Sequence, residues 1–310
     1  MEYIGELSAL ASAVTWVITG LAFASAGRRV GATIVNTTRI WLALGVLLIL
    51  HWFLHGHVVP SMSGQAWFWL AISGVLGLAI GDQFLYRSLV DAGPRTATLV
   101  MAVVPGITAV IAWPVLGQSI GVWGIAGMVV TLSGVMWVVS GQSRGSGRVY
   151  PYPKRGVVLA LLAAICQSVG LVTSKLGMGE IGTDTAVGPW TATYVRVAIA
   201  APAATILLLV YLRSKKDRVA HDRASHDGGL FGASVLIAIG AICGPFLGVG
   251  TALIAINYID AGIAATLMAT SPIMILPFAR LVEREHVGSR AIWGALIAII
   301  GVGMLVLPLP

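Results

Sequence analysis

The chain has 310 residues, of which 57% are hydrophobic and only 10% are charged. About a quarter of the residues of a soluble domain are charged, so this composition excludes an ordinary soluble protein. The net charge of +7 raises the question of nucleic acid. The basic residues, however, stand in short connections between apolar runs, where contact with a membrane surface explains them and nucleic-acid binding does not.

The apolar residues are gathered into long segments, and a membrane-spanning helix needs about 20 of them in a row. Ten segments qualify in chain order: 4–26, 32–54, 66–91, 95–116, 121–140, 156–177, 188–211, 230–259, 263–282 and 289–308. Two longer polar stretches, 141–155 and 212–229, separate some of them, and the Gly, Ser and Pro residues of the first are typical of a linker. We therefore predict an all-α integral membrane protein with ten transmembrane helices.

The basic residues are sorted into alternate connections, which predicts an orientation in the membrane. Of 19 Lys and Arg residues, 14 lie in every second connection. These are Arg28, Arg29, Arg95, Arg144, Arg148, Lys154, Arg155, Arg213, Lys215, Lys216, Arg218, Arg223, Arg284 and Arg290. Because Lys and Arg are kept on the cytoplasmic side during insertion, this pattern places both termini outside a cell inner (plasma) membrane.

The two halves of the chain resemble each other in sequence. Residues 81–93 align without gaps on 250–262, and 97–99 match 265–267 as Ala-Thr-Leu in both halves. We predict two repeats, 1–148 with helices 1–5 and 149–310 with helices 6–10. Five crossings per repeat is an odd number, so the repeats should be inverted in the membrane, an arrangement found in transporters with a central site between the repeats.

Several of these features occur together in one known family. They are the helix 2 arginine followed by an apolar run (Arg39), the Gly81-Asp82 pair, the prolines of helices 4 and 9 (Pro105, Pro272) and the helix 4 exit Leu116-Gly117-Gln118. In these features the chain resembles the EamA family of the drug/metabolite transporter (DMT) superfamily. Gln118 departs from the pattern, because the family usually has Glu at that exit.

The resemblance implies a ten-helix carrier with a central cavity that moves small metabolites, often out of the cell. It also implies cytoplasmic termini, in conflict with the charge rule, which we follow here. We expect a secondary-active exporter of a small polar metabolite, such as an amino acid or organic acid, working by alternating access. A lipid or lipid-linked substrate flippase and an organophosphate exchanger of the same fold are the alternatives.

Asp82 is the only acid well inside an apolar segment. An uncompensated Asp at mid-bilayer costs about 2.5–3.5 kcal/mol on insertion scales, so a partner or a wet cavity is required. Arg87 lies five residues on and Tyr86 one helical turn on. Asp82 either binds substrate or protons, or forms a structural pair with an arginine.

Two further arginines, Arg39 and Arg196, occupy equivalent places in helices 2 and 7. About eight residues into a helix corresponds to a depth of roughly 10–12 Å. Such a side chain snorkels to the headgroups or caps neighbouring carbonyls, or it captures a carboxylate or phosphate inside the protein.

Polar and aromatic residues at positions that can face a cavity complete the candidate substrate site. They are Trp16, Asn36, Gln83, Tyr86, Gln167, Tyr194, Asn257 and Tyr258. Such a mixture suits a small polar or zwitterionic metabolite, although Trp and Tyr near helix ends also form interfacial belts. Helix-embedded cations outnumber anions, which favours an anionic or zwitterionic substrate.

Two paired prolines, Pro105 and Pro272, are predicted hinges because proline removes a backbone hydrogen bond within a helix. His51, His55 and His57 gather at the end of helix 2, but with no carboxylate or Cys beside them we predict no metal site. Neither His-Glu-x-x-His nor Gly-x-Ser-x-Gly occurs, so we expect neither an enzyme nor a cofactor. Without a nucleotide motif, transport would be driven by protons, exchange or the substrate gradient, in a monomer or homodimer.

Overall fold

The structure is a computed structural model that describes residues 3–92, 96–97, 100–141, 152–180, 183, 186–213, 230–271, 273 and 289–306. Within those ranges every regular element is a helix, which confirms the all-α expectation. Six helices are long and apolar enough to cross a membrane, and three further apolar helices of 10–17 residues accompany them.

Six helices of the first half are described. They are α1 (Ile4–Val30), α2 (Ala32–His55), α3 (Gly64–Ser73), α4 (Asp82–Asp91), α5 (Val104–Leu116) and α6 (Val122–Gly141). A π-helical segment, Gly74–Gly81, joins α3 to α4, so that these three elements form one crossing where a single helix over 66–91 was predicted.

The second half repeats this layout. Its helices are α7 (Pro153–Met178), α8 (Pro189–Arg213), α9 (Leu230–Ala241), α10 (Val249–Tyr258), α11 (Ala261–Met268) and α12 (Ser289–Val306). Again a π-helical segment, Ile242–Gly248, lies inside the third crossing, between α9 and α10. Both π-helical segments directly precede or overlap the stretches that align in sequence.

Helix 4 of the prediction is not continuous. Residues 102 and 103 form a turn, and α5 begins after it with Pro105 in its first turn. A turn at residues 269–270 likewise interrupts predicted helix 9, in which residue 271 is helical again, and Pro272 itself lies outside the described residues. Pro105 therefore accompanies a break, since proline is best tolerated in the first turn of a helix.

The core is shared by both halves. The largest buried side chains include Ile40, Leu47 and Leu70 from the first half and Leu253 and Leu267 from the second. Polar contacts cross between the halves as well.

Among the described residues, three serines of the first half make such contacts, each by donating to a backbone carbonyl of the second half. Ser73 donates to Gly170 O at 2.5 Å, Ser88 to Gly156 O at 2.8 Å and Ser12 to Gly248 O at 2.9 Å. The carbonyls belong to α7 and to the π-helical segment of the third crossing, so the first half is bound to the second along two sides.

Helices α6 and α12 pack at close range through small residues. A Cβ added to Gly134 would lie 2.5 Å from Ala298 N, and one added to Gly301 would lie 2.4 Å from Thr131 N. Small side chains let helix backbones approach in lipid, where apolar burial does not drive association. The last helices of the two halves, α6 and α12, are thus packed directly against each other.

Contacts near the two ends of α7 mark the two ends of the bundle. At the amino-terminal end, Gly5 packs against Ile259, and Lys175 Nζ donates to the carbonyl of Ile259 at 3.0 Å. At the opposite end, the basic-loop end, Arg155 Nε lies 3.2 Å from Asp91 Oδ2. Which end faces the cytoplasm stays a prediction of the charge rule.

Candidate functional site

The π-helical segment before Asp82 brings the chain close to helix α8. A Cβ on Gly74 would lie 2.4 Å from the carbonyl oxygen of Arg196, and one on Gly77 would lie 3.2 Å from Arg196 Nη2. Only glycine fits this approach at Gly74 without a backbone shift. Single π-helical turns inside α-helices are frequent at functional sites, because they re-aim the residues that follow.

Asp82, the first residue of α4, forms an ion pair with Arg39 of α2. Its second oxygen, Oδ1, accepts a hydrogen bond from Gln167 Nε2 at 2.6 Å. The carboxylate residue is only 6% exposed and Arg39 only 3%. The buried acid therefore has one partner from each half of the chain, as its position in an apolar segment required.

Asn36 organises the cation side of this pair. Its Oδ1 accepts hydrogen bonds from Arg39 Nε at 3.0 Å and Nη2 at 2.9 Å, and its Nδ2 donates to Ala79 O at 3.1 Å. Gln83 continues the network by donating to Thr33 Oγ1 at 2.8 Å. These contacts hold the guanidinium in one orientation, since each polar atom has a defined partner.

Aromatic rings cover the remaining face of Arg39. The guanidinium carbon lies 4.9 Å from the ring centroid of Tyr86 and 5.5 Å from that of Phe23. The two rings meet edge to face, with centroids 5.5 Å apart. A cation over an aromatic face gains electrostatic stabilisation that grows as water is removed.

Arg196 of α8 is also buried, at 3% exposure, and its Nε has no hydrogen-bond partner. It lies close enough to Asp82 to interact with it electrostatically. Two guanidinium groups therefore share one carboxylate in this cluster. We call Arg39, Asp82, Gln167 and Arg196 the charged cluster.

The structure settles where the other candidate residues lie. Snorkelling of Arg39 and Arg196 to the headgroups is wrong, because both side chains are buried. The arginine that pairs with Asp82 is Arg39 and not Arg87, which lies closer in sequence. Arg87 lies over the ring of Tyr211, with its guanidinium carbon 5.7 Å from the ring centroid.

Three aromatic candidates lie away from the charged cluster. Tyr258 is 53% exposed at the end of α10. Tyr194 is buried but donates its hydroxyl to Val58 O at 3.0 Å, near the amino-terminal end. Trp16 packs against Gly248 of the second π-helical segment. Asn257 is half-buried, one residue before the end of α10.

The model of one protein family, the EamA-like transporter family, matches the chain twice, over residues 3–140 and 154–307. The chain belongs to the EamA-like transporter family. Each half is thus one EamA unit, and the resemblance of the halves in sequence is explained. Membrane transporters of the DMT superfamily, rather than enzymes, make up this family.

A solved crystal structure of another protein matches this EamA fold over 98% of each chain, with a TM-score of 0.76 and 15% sequence identity. At that identity the likeness extends to the fold alone. None of the curated proteins compared with the chain matches its sequence.

Two polar contacts of this EamA chain escaped the sequence reasoning. Thr33 was passed over because a single hydroxyl in an apolar helix carries no charge signal. Gln118 was noted only as a departure from the family pattern, yet its Oε1 accepts a hydrogen bond from the backbone N–H of Ala261 at 3.1 Å. The glycine run of 74–81 was a detectable signal for the unusual helix that positions Asp82.

Proposed function

We propose that this protein is a secondary-active carrier of small metabolites that bear a carboxylate or similar anionic group, such as amino acids or organic acids. It works by alternating access in the plasma membrane, with export as the direction that the family resemblance implies. The observation that carries the proposal is the charged cluster, in which Arg196 is buried with its Nε unpartnered beside the Asp82–Arg39 pair.

The location of the cluster supports a transport role. Arg39 and Asp82 belong to the first EamA unit, whereas Gln167 and Arg196 belong to the second. A site between two repeats changes shape when one repeat moves against the other, which is the geometric requirement for alternating access. A pair with a purely structural role could be formed within one unit.

The charge of the cluster supports an anionic substrate. A buried cation without a full set of partners is unfavourable, and a carboxylate that brings its own charge relieves this cost. Guanidinium groups bind carboxylates through two parallel hydrogen bonds. In this mechanism the substrate carboxylate takes Arg196, while Asp82 and Gln167 bind an ammonium or hydroxyl of the same molecule.

Movement of the substrate requires the cluster to open without leaving a bare charge. Asp82 has partners on both sides, Arg39 within its own unit and Gln167 across the interface, so separation of the units breaks the second contact and spares the first. The Asp82–Arg39 pair then stays neutral throughout the cycle. Arg196, Gln167 and the second oxygen of Asp82 exchange partners, between substrate and the polar surroundings of the opened cavity.

The test is uptake into proteoliposomes of a labelled panel of amino acids, organic acids, sugar phosphates and lipophilic cations, with and without a pH gradient. We expect saturable uptake of an anionic or zwitterionic class and loss of that uptake in Arg196→Gln, with partial recovery in Arg196→Lys. Lysine keeps the charge but not the bidentate geometry.

The matched control is Arg87→Gln, which removes a cation over Tyr211 that is not part of the charged cluster. Preferred uptake of lipophilic cations, or full activity of Arg196→Gln, would refute the anionic site. Uptake of sugar phosphates alone would identify an organophosphate exchanger, and scrambling of a fluorescent lipid without uptake of any solute would identify a flippase.

A further inference from the structure

A second cluster of titratable residues lies at the amino-terminal end of the bundle, away from the charged cluster. A cavity of about 280 Å³ opens there between the end of α2 and the beginnings of α3 and α8. Its polar lining consists of His51, His55, His57, Ser61, Ser63 and Thr191. We call this cavity the histidine pocket.

The three imidazoles are packed together. His51 stacks on His55 with ring centroids 4.4 Å apart and on Tyr194 with centroids 4.7 Å apart, while His57 lies 5.5 Å from His51. His51 is only 3% exposed, and its Nε2 has no hydrogen-bond partner. A buried polar atom in the wall of a cavity, with no partner from the protein, is placed to bind a polar ligand there.

The other polar side chains that line the pocket are hydroxyls, which can donate hydrogen bonds. Ser63 is the N-cap of α3, and Gly188 directly precedes Pro189, where α8 begins. Two helix N-termini therefore meet at this cavity, and the free N–H groups and dipole of a helix N-terminus attract anions. Within the described part of the chain, no Asp, Glu, Lys or Arg lines the pocket.

From this arrangement we infer that the histidine pocket binds a small carboxylate or phosphate anion together with one or more protons. The positive charge that attracts the anion comes from His51, His55 and His57 at the end of α2. Among the described residues that line the pocket or contact these rings, the phenol of Tyr194 is the only titratable group that α8 contributes. A neutral imidazole supplies little attraction, whereas an imidazolium donates from both nitrogens.

A metal ion is the obvious alternative for three histidines, and the geometry disfavours it. The described residues contain no group of three His, Cys, Asp or Glu side chains arranged to hold a metal ion. Stacked rings such as His51 and His55 lie face to face, whereas imidazole ligands must direct their nitrogens in-plane at one metal.

The experiment measures binding of acetate and of inorganic phosphate to the full chain in nanodiscs, followed through the resonances of isotope-labelled histidine. Binding is compared at about pH 8 and about pH 5.5, because an imidazolium carries the charge and the two N–H donors that an anion needs. We expect saturable shifts of the pocket histidines at the lower pH and binding at least about tenfold weaker at the higher pH. Comparison of the two probes distinguishes a carboxylate from a phosphate ligand.

The exposed residues His55 and His57 provide the variants, because their replacement leaves the buried His51 in place. The double variant His55→Gln/His57→Gln should lose the anion response. Arg196→Gln, which removes a cation that does not line the pocket, should retain it, so failure here and failure of the proposed transport site remain distinguishable.

Three results would overturn the inference. They are the absence of saturable anion binding at the lower pH, anion binding that the double variant leaves unchanged, and saturation of the same histidines by Zn²⁺ in the absence of any response to acetate or phosphate.

Discussion

Arg39 and Asp82 form a buried ion pair that joins α2 to α4, and the two residues are 43 positions apart in the chain. Asn36 and Tyr86 hold the arginine, and Gln167 from the other EamA unit holds the acid. A charge that would be costly in lipid is thereby neutralised next to the interface at which the units meet.

Removal of one member of this pair should destabilise the protein. Asp82→Asn leaves the guanidinium of Arg39 buried without its carboxylate, and such a loss costs about 3–5 kcal/mol in other proteins. Thermal unfolding of the detergent-solubilised protein, followed by intrinsic fluorescence, should show a clearly lower midpoint. An unchanged midpoint would mean that the pair is not buried as described.

The double variant Arg39→Met/Asp82→Leu separates stability from function. Replacement of a buried pair by apolar residues of similar size is often neutral or stabilising, so most of the loss seen in Asp82→Asn should be recovered. Transport should not be recovered, because the charged cluster is absent. A stable double variant with full uptake would assign the pair a structural role alone.

The glycines of the first π-helical segment should be sensitive to a single methyl group. Gly74→Ala would bring a Cβ within 2.4 Å of Arg196 O, which is backbone and does not yield easily. Gly77→Ala would press on Arg196 Nη2 at 3.2 Å, so we expect weaker substrate binding with a smaller loss of stability.

Gly45→Ala is the matched control for these two variants. Gly45 lies within α2 with nothing within 4 Å of an added Cβ, and alanine there should be neutral or stabilising by up to about 1 kcal/mol. Comparison of unfolding midpoints and apparent KM for the three variants tests the assignment. Equal effects at Gly74 and Gly45 would contradict the close approach to α8.

Gln118 should act as a cap for α11 across the interface between the units. Asp260, the N-cap residue, makes no capping hydrogen bond with its side chain, whereas Gln118 Oε1 accepts from Ala261 N. Gln118→Ala should therefore cost about 0.5–2 kcal/mol, the usual value of a lost cap. Gln118→Glu keeps an acceptor and adds a negative charge at a helix N-terminus, so its unfolding midpoint should equal or exceed that of the parent.

The α6–α12 contact should depend on Gly134. An added Cβ would lie 2.5 Å from Ala298 N and 2.6 Å from Gly294 O, so Gly134→Ala should separate the two helices and lower the unfolding midpoint. Gly303→Ala, in α12 with nothing within 4 Å, provides the control. An unfolding midpoint that Gly134→Ala leaves as high as that of Gly303→Ala would contradict the contact itself.

Much of the architecture could be read from the chain because it depends on local properties. The cost of placing a residue in lipid is a property of that residue, so apolar runs predicted helical crossings and Asp82 stood out as an acid that needs a partner. The family resemblance, based on motifs such as Arg39 and Gly81-Asp82, is confirmed by the two EamA matches. The inversion of the repeats and the boundary near residue 148 remain predictions.

Which groups meet was decided by the tertiary structure. Arg87 is the arginine nearest to Asp82 in sequence, yet Arg39 and Gln167, 43 and 85 residues away, bind the carboxylate. The π-helical turn rotates α4 relative to α3, and the packing of α7 and α8 against it selects the partners. Hydropathy reports that a charge lies in the membrane, but the rotation and approach of whole helices determine what neutralises it, and these arise only when all the crossings pack together.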